Sequence, residues 1–206
     1  MPHFDVKPAV EYDPERLRVL TAEEIIDGFA AVRDYQHLRA FDWNEVHECL
    51  RAERAVLDDA SRRSRSDREF EGLVSAAENE AFESDQGDQT YFGLDIGTAA
   101  LVLGLCAALG VTFYSCRGHV PGSRHEAPFP QVGMVLDKER AAIIAKLSAE
   151  TSCGFRSDSG GKLWAFGRSV DDLHRLASAV FENHAEFDAL PEPEWVARVN
   201  ELYSEW

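Results

Sequence analysis

Several features are scarce or missing in this sequence of 206 residues, and each absence excludes a class of protein. The longest apolar run, residues 99–109, is interrupted by Gly104 and is shorter than the roughly 18–20 residues that span a bilayer. The amino terminus has no basic stretch followed by an apolar run, so no secretory signal is expected. The four cysteines form no C-x-x-C pair, which argues against a disulfide framework. We therefore expect a cytoplasmic protein with reduced thiols and no membrane contact.

Basic residues are also few relative to acidic ones. Lysine and arginine number 21 against 37 aspartate and glutamate, which gives a formal charge of −16. Residues 1–97 hold 23 acidic and 11 basic side chains, and residues 98–206 hold 14 and 10. Such acidity repels a nucleic-acid backbone and steers a basic protein toward the chain. We predict a basic protein partner and no non-specific nucleic-acid binding. The alternative is that acidity only keeps the protein soluble.

Residues 1–88 have the pattern of an acidic helical region. Apolar residues at helical spacing follow Asp42 and recur over residues 67–82. Residues 84–89 are polar, contain glycine and mark a candidate boundary. Beyond it, residues 89–206 are predicted to form an α+β domain, and we expect both parts to make one compact unit.

The second half of the chain alternates between helical and strand patterns. A helix–strand–strand order occurs twice, which predicts a mainly antiparallel sheet covered by helices. The segments of the first unit are residues 99–109, 111–116 and 131–136, and those of the second are 138–150, 153–157 and 162–167. A further short strand is predicted at residues 91–95. The predicted fold is α+β, with the helical N-terminal half packed on the sheet and helices at the C-terminus.

The loop between the first two predicted strands collects reactive and charged side chains. It contains two glycines and several prolines, which favour a defined backbone path, and long ordered loops often carry function. Its candidate residues are Ser115, Cys116, Arg117, His119, Arg124, His125 and Glu126. The segment Cys116–Glu126 is therefore the candidate functional loop.

One interpretation of this loop is nucleophilic catalysis. Cys116 would be the nucleophile, activated by His119 or His125, and Arg117 would lower the pKa of the thiol. No acid partner follows at a recognisable spacing.

A second interpretation is a zinc site in which Cys116, His119 and His125 are ligands and Glu126 or Cys153 completes the set. The C-x-x-H spacing suits zinc, but a structural site needs a second matching pair, and the sequence offers none. We therefore predict no cofactor and keep zinc as an alternative.

A third interpretation uses the positive charges in this acidic chain. Ser115, Arg117, Arg124, His125 and Arg156 would bind a phosphate, a nucleotide or another anion. The alternative is that these arginines pair with the acidic helical half and only hold the protein together.

Two short segments resemble known motifs. Residues 93–98 resemble the D-x-G-T phosphate loop of sugar kinases and actin-like proteins, which those families place near the start of a much longer chain. Here the segment lies in mid-chain, so we interpret Asp95 as a turn or cap residue that would face the Cys116 loop if the two segments are neighbours. Residues 115–118 resemble the S-C-S-G-R stretch of the wybutosine tRNA methyltransferase family, with His119 where that family has arginine. The acidic composition argues against a tRNA substrate, and no function is carried over.

Two functions follow as hypotheses. The first is a non-catalytic intracellular binding protein, such as an accessory, inhibitor or immunity-type subunit, that engages a basic partner through an acidic surface. Aromatic residues that would anchor such an interface are Trp43, Trp195, Tyr203 and Trp206. The alternative is an enzyme or sensor that binds an anionic small molecule at the Cys116–Glu126 loop.

Overall fold

Eight helices and five strands form in the part of the chain that the computed structural model describes, residues 1–31, 41–83 and 90–204. In chain order the elements are β1 (Val10–Glu11), α1 (Ala22–Ala31), α2 (Trp43–Arg63), α3 (Asp67–Glu83), α4 (Ala99–Ala107), β2 (Val111–Cys116), β3 (Gln131–Val135), α5 (Lys138–Glu150), β4 (Gly154–Ser157), β5 (Leu163–Phe166), α6 (Val170–Glu182), α7 (His184–Asp188) and α8 (Glu194–Ser204). The predicted α+β class is confirmed, and so are both helix–strand–strand units.

The strands form one mixed sheet in the order β1-β4-β5-β3-β2. The hairpin β2–β3 and the pairs β3–β5 and β4–β5 are antiparallel, whereas β1 runs parallel to β4 at one edge. Cys116, the last residue of β2, lies opposite Gln131, the first residue of β3. The long loop between these strands therefore starts and ends at the same edge of the sheet.

Capping side chains set the starts of several helices. The carboxylate of Asp42 accepts from the backbone N–H of Asn44 and Glu45 at the start of α2, and Glu45 bonds back to the N–H of Asp42. Ser169 and Asp172 make the same reciprocal pair at the start of α6. Such boxes satisfy N–H groups that the first turn of a helix leaves without partners.

Helix α4 lies at the centre of the core. Every residue from Ala99 to Cys106 is buried, because α4 packs against α2, α6 and strand β2. An added Cβ at Gly104 would lie 3.4 Å from Val180 on α6 and 3.7 Å from Val46 on α2, which are ordinary van der Waals distances. Helices α2 and α3 thus share one continuous apolar core with the sheet. Within the described residues, no helix is long and apolar enough to cross a membrane.

Two details of the sequence-based prediction need correction. Residues 91–95 form a turn instead of a strand, because Phe92 and Gly93 have φ angles of 55° and 74°, which no strand accommodates. Strand β1 was not predicted, since the N-terminal region was interpreted as wholly helical. The candidate boundary at residues 84–89 lies outside the described residues.

Candidate functional site

The loop from Arg117 to Pro130 folds back on the end of β2. The N–H of His119 donates to the carbonyl oxygen of Ala127 at 2.6 Å, which closes the loop on itself. Gly118 has a φ of +94°, and a Cβ there would lie 2.7 Å from the ring of Phe4 and 3.0 Å from the carbonyl carbon of Phe129. Only glycine fits this path, and the path returns His125 to the position of Cys116.

Cys116 lies under this loop and is 4% exposed. Burial alone would raise the pKa of its thiol. Hydrogen bonds from His125 and from the backbone N–H groups of Gly118 and Ala127 outweigh burial and lower that pKa. These donors favour the thiolate.

His125 is buried between two carboxylates. Its Nδ1 lies 3.3 Å from Oδ2 of Asp95, and its Nε2 lies 3.3 Å from Oε1 of Glu71. The Nε2 contact lacks the alignment of a directed hydrogen bond and acts as an ion pair. Burial lowers the pKa of the imidazole, but the interactions with Cys116, Glu71 and Asp95 raise it to about 9. The site therefore pairs an imidazole whose pKa is raised with a thiol whose pKa is lowered.

Arg117 is also buried, and it joins the loop to helix α3. Its guanidinium pairs with Glu71 at 2.8 Å and with Glu78, and it donates to the hydroxyl of Ser75 at 2.9 Å. Burial would raise the pKa of Glu71, but the interactions with His125 and Arg117 lower it to about 2. The positive charge of Arg117 is thus already balanced by carboxylates.

Hydrogen bonds to helices α2 and α3 fix the turn that carries Asp95. The backbone N–H of Ile96 donates to Glu78 at 2.8 Å, and the N–H of Gly97 donates to Glu53 at 2.6 Å. On the outer side, Arg124 is 69% exposed at its side chain and bonds to Asp95 at 2.8 Å. Asp95 therefore reaches His125 from a turn fixed by α2 and α3.

The structure brings together only part of the predicted set. Cys116, Arg117, Arg124 and His125 meet in one cluster around Glu71, Glu78 and Asp95. His119 is exposed, and its Nδ1 lies 2.7 Å from the carbonyl oxygen of His125. Ser115 is half-buried on β2.

Arg156 belongs to a different part of the sheet. Its guanidinium lies 5.3 Å from the ring centroid of Phe166. Strand β4, which carries it, is separated from β2 by β5 and β3, so its backbone is about 14 Å from that of β2.

The zinc interpretation gains no geometric support. In the described part of the chain, no group of three or more His, Cys, Asp or Glu side chains could hold a metal ion. Glu126 is exposed, and the thiol of Cys153 donates to the carbonyl oxygen of Asp172 at 3.1 Å. Burial raises the pKa of Cys153 to about 12 and that of Cys106 to about 11, in contrast to Cys116.

The buried glutamates were missed at the sequence level, although the helical spacing contains a signal. Glu71, Ser75 and Glu78 follow one another at intervals of four and three, which places them on one face of α3. Glu53 lies within the apolar stripe of α2, between Leu50 and Leu57. A carboxylate on the inner face of an amphipathic helix indicates a buried partner of opposite charge.

Comparison with known proteins identifies no relative. No protein-family model matches this chain, and neither a curated protein nor a solved structure does. The chemistry of the site follows from its own geometry, which brings together a thiol with a lowered pKa, an imidazole with a raised pKa and two carboxylates under a glycine-dependent loop.

Proposed function

We propose that this protein is a thiol-dependent enzyme. Cys116 is the nucleophile, His125 is the general acid and base, and Asp95 and Glu71 hold the imidazole in its charged form. The observation that carries the proposal is the position of His125, which contacts Cys116 and lies 3.3 Å from each of two carboxylates. Paired thiolate and imidazolium groups are a general device for nucleophilic catalysis.

The reaction class that suits these groups is acyl transfer to water. The thiolate of Cys116 forms a bond to an acyl carbon, the bond to the leaving group breaks, and the leaving group takes the proton of His125. A water molecule then attacks the thioester and gives a proton to His125, and the sulfur departs as the thiolate. The proton and charge return to their starting positions. The proposal places the protein in a reducing compartment, the cytoplasm, where Cys116 stays free.

The anion-binding alternative has less support from the geometry. Arg117 is buried, and its charge is balanced by Glu71 and Glu78. Arg124 is exposed, but it pairs with Asp95. A substrate anion would therefore meet at most one arginine at this loop, and that arginine already has a partner.

Alkylation of each cysteine by iodoacetamide, measured against pH by peptide mass spectrometry on the native protein, tests the thiolate. We expect Cys116 to react at neutral pH, well before Cys106 and Cys153, whose pKa values burial raises. His125→Gln should slow the reaction of Cys116 about tenfold at pH 7, the effect of one unit of pKa on the thiolate fraction. His3→Gln, an exposed histidine, is the control and should change nothing. Resistance of Cys116 until the protein unfolds would refute the proposal.

Hydrolysis of p-nitrophenyl acetate tests the catalytic step. The wild-type protein should show turnover that Cys116→Ser and His125→Gln abolish, with Cys106→Ala as the matched control. Equal turnover by Cys116→Ser and the wild-type protein would show that the thiol is not the nucleophile.

The second candidate function is capture of a basic protein partner by an acidic surface. Exposed carboxylates are frequent toward the C-terminus, at Glu182, Glu186, Asp188, Glu192 and Glu194. Three glutamates of the N-terminal helices, Glu53, Glu71 and Glu78, instead bond to partners inside the protein. Native mass spectrometry at low and high salt tests this function. A co-migrating basic protein that is lost as salt rises supports it, and its absence at low salt counts against it.

A further inference from the structure

A groove of about 560 Å³ lies at the first residue of β2, the end of that strand remote from Cys116. The two ends of this six-residue strand are about 17 Å apart. Three segments form its walls: residues 14–20 before α1, the start of α5, and residues 191–195 at the start of α8. The groove is therefore separate from the Cys116 site.

The floor and one wall of the groove are apolar. Leu17, Leu20, Val111 and Trp195 line it and are half-buried. Val19, on the same wall, is 80% exposed. An aliphatic side chain that exposed, beside a concave apolar surface, is typical of an interaction site.

The rim of the groove carries net negative charge. The cations that line the groove are each held by a carboxylate: Lys138 by Glu15, Arg18 by Glu24 and Arg140 by Asp137. Glu139, Glu192 and Glu194 also line it, and all three are exposed. None of them forms an ion pair with a cation in the described ranges. The rim is thus acidic while the floor is apolar.

We propose that this groove docks an extended basic segment of a partner protein, in which lysine or arginine alternates with aliphatic residues. Aliphatic side chains cover Val19, Leu20 and Trp195, and the ammonium or guanidinium groups reach Glu192 and Glu194. The volume of the groove falls within the roughly 300–1,000 Å³ of typical ligand sites and is enough for a few side chains of the partner. The inference rests on the second proposed function, to which it gives a location, and is independent of the thiol chemistry.

The test uses the full chain and the probe peptide acetyl-Leu-Lys-Val-Lys-Leu-amide, with a version carrying Glu for Lys as its control. Binding is followed by ¹⁵N chemical shifts. We expect shifts at the Val19 amide and the Trp195 indole. The variant Glu192→Gln/Glu194→Gln should weaken binding about fivefold, the combined effect of two exposed ion pairs. The matched variant Glu150→Gln/Glu182→Gln removes the same charge from exposed positions outside the groove lining and should leave binding unchanged.

Each of four outcomes would overturn the proposal. They are equal weakening by both double variants, equal affinity for the Glu peptide, shifts confined to other residues, and equal affinity for hexylamine, which would indicate a small-molecule pocket. Alkylation of Cys116 should be the same in all these variants. Failure at the groove therefore does not bear on the thiol proposal. A basic partner that still binds the wild-type protein when the groove fails would retain the second function at another surface.

Discussion

The backbone N–H of Gly97 donates a 2.6 Å hydrogen bond to Oε1 of Glu53, which lies 44 positions earlier in the chain. The other carboxylate oxygen of Glu53 lies 3.1 Å from Nδ1 of His174 on α6. Glu53 is 1% exposed, so it has no access to water as an alternative partner. This one carboxylate ties α2 and α6 to the turn from which Asp95 reaches His125.

Replacement of Glu53 should therefore destabilise the protein, and the loss should grow with the number of buried groups left without an acceptor. Glu53→Leu leaves the Gly97 N–H and the His174 ring buried without an acceptor, and should cost about 3 kcal/mol. Glu53→Gln keeps one oxygen acceptor and should cost about 1 kcal/mol. Urea denaturation measures both. Glu48→Gln, at an exposed position of the same helix, should stay within about 0.5 kcal/mol. Equal effects of Glu53→Leu and Glu48→Gln would contradict this role.

The pair formed by Cys116 and His125 makes a specific prediction about pH. Folding raises the pKa of His125 to about 9 and lowers that of the Cys116 thiol. With rising pH the first shift reduces the stability of the fold and the second increases it, so the two effects oppose each other in the wild-type protein. In Cys116→Ala the contribution of the thiol is gone, and His125 loses the interaction that raises its pKa most. Glu71 and Asp95 still favour the charged imidazole, so its stabilisation is complete below about pH 6.5 and is lost as pH rises through the folded pKa.

The free energy of unfolding, measured across that pH range, checks this expectation. Cys106→Ala is the control, because the high pKa of Cys106 keeps its thiol neutral there. The stability of Cys116→Ala relative to this control should decline with rising pH. Parallel pH profiles for the two variants would show that folding does not lower the pKa of Cys116.

Glu71 governs the acid limb of the stability curve. Its folded pKa of about 2 lies below the ordinary glutamate value of 4.5, so its stabilisation is present above pH 4.5 and is lost as pH falls toward 2. Glu71→Gln should be less stable than the wild-type protein at pH 7, by up to about 3 kcal/mol, and the two should converge near pH 2. Circular dichroism during acid titration measures this. A constant difference from pH 7 to pH 2 would contradict the assignment.

Gly118 should tolerate no side chain. Its φ of +94° disfavours alanine, and the added Cβ would contact Phe4 and Phe129 at 3.0 Å or less. We expect Gly118→Ala to lower stability by about 1–3 kcal/mol. Gly72→Ala is the matched control, since a Cβ there meets nothing within 4 Å and α3 should gain up to about 1 kcal/mol. Thermal melting of the two variants should therefore move in opposite directions.

The sequence predicted the sheet well because its elements are defined by local pattern. The six segments of the two helix–strand–strand units agree with the structure to within two residues at each end. The short parallel strand β1 was missed, because two residues are too few for a periodic signal and its pairing with β4 depends on contacts distant in sequence.

The site was predicted only in part, for a similar reason. Cys116, Arg117, Arg124 and His125 share one loop and were recognisable together. Glu71, Glu78 and Glu53 reach them from separate helices, and sequence spacing does not record which helix face meets which loop. The same facts explain why Arg117, a candidate for anion binding, pairs with carboxylates of the acidic helical half, as the alternative interpretation of the arginines had it.

Because helix α3 shares one core with the sheet, the site around Cys116 is complete only after α3 has docked. His125 and Cys116 lie in the second half of the sequence, but Glu71, which pairs with both His125 and Arg117, is on α3 in the first half. A fragment or folding intermediate that contains only the sheet has His125 without that counterion. The pKa of Cys116 would thus be lowered to its full extent only once α3 has docked, and the thiolate fraction at neutral pH would report complete folding.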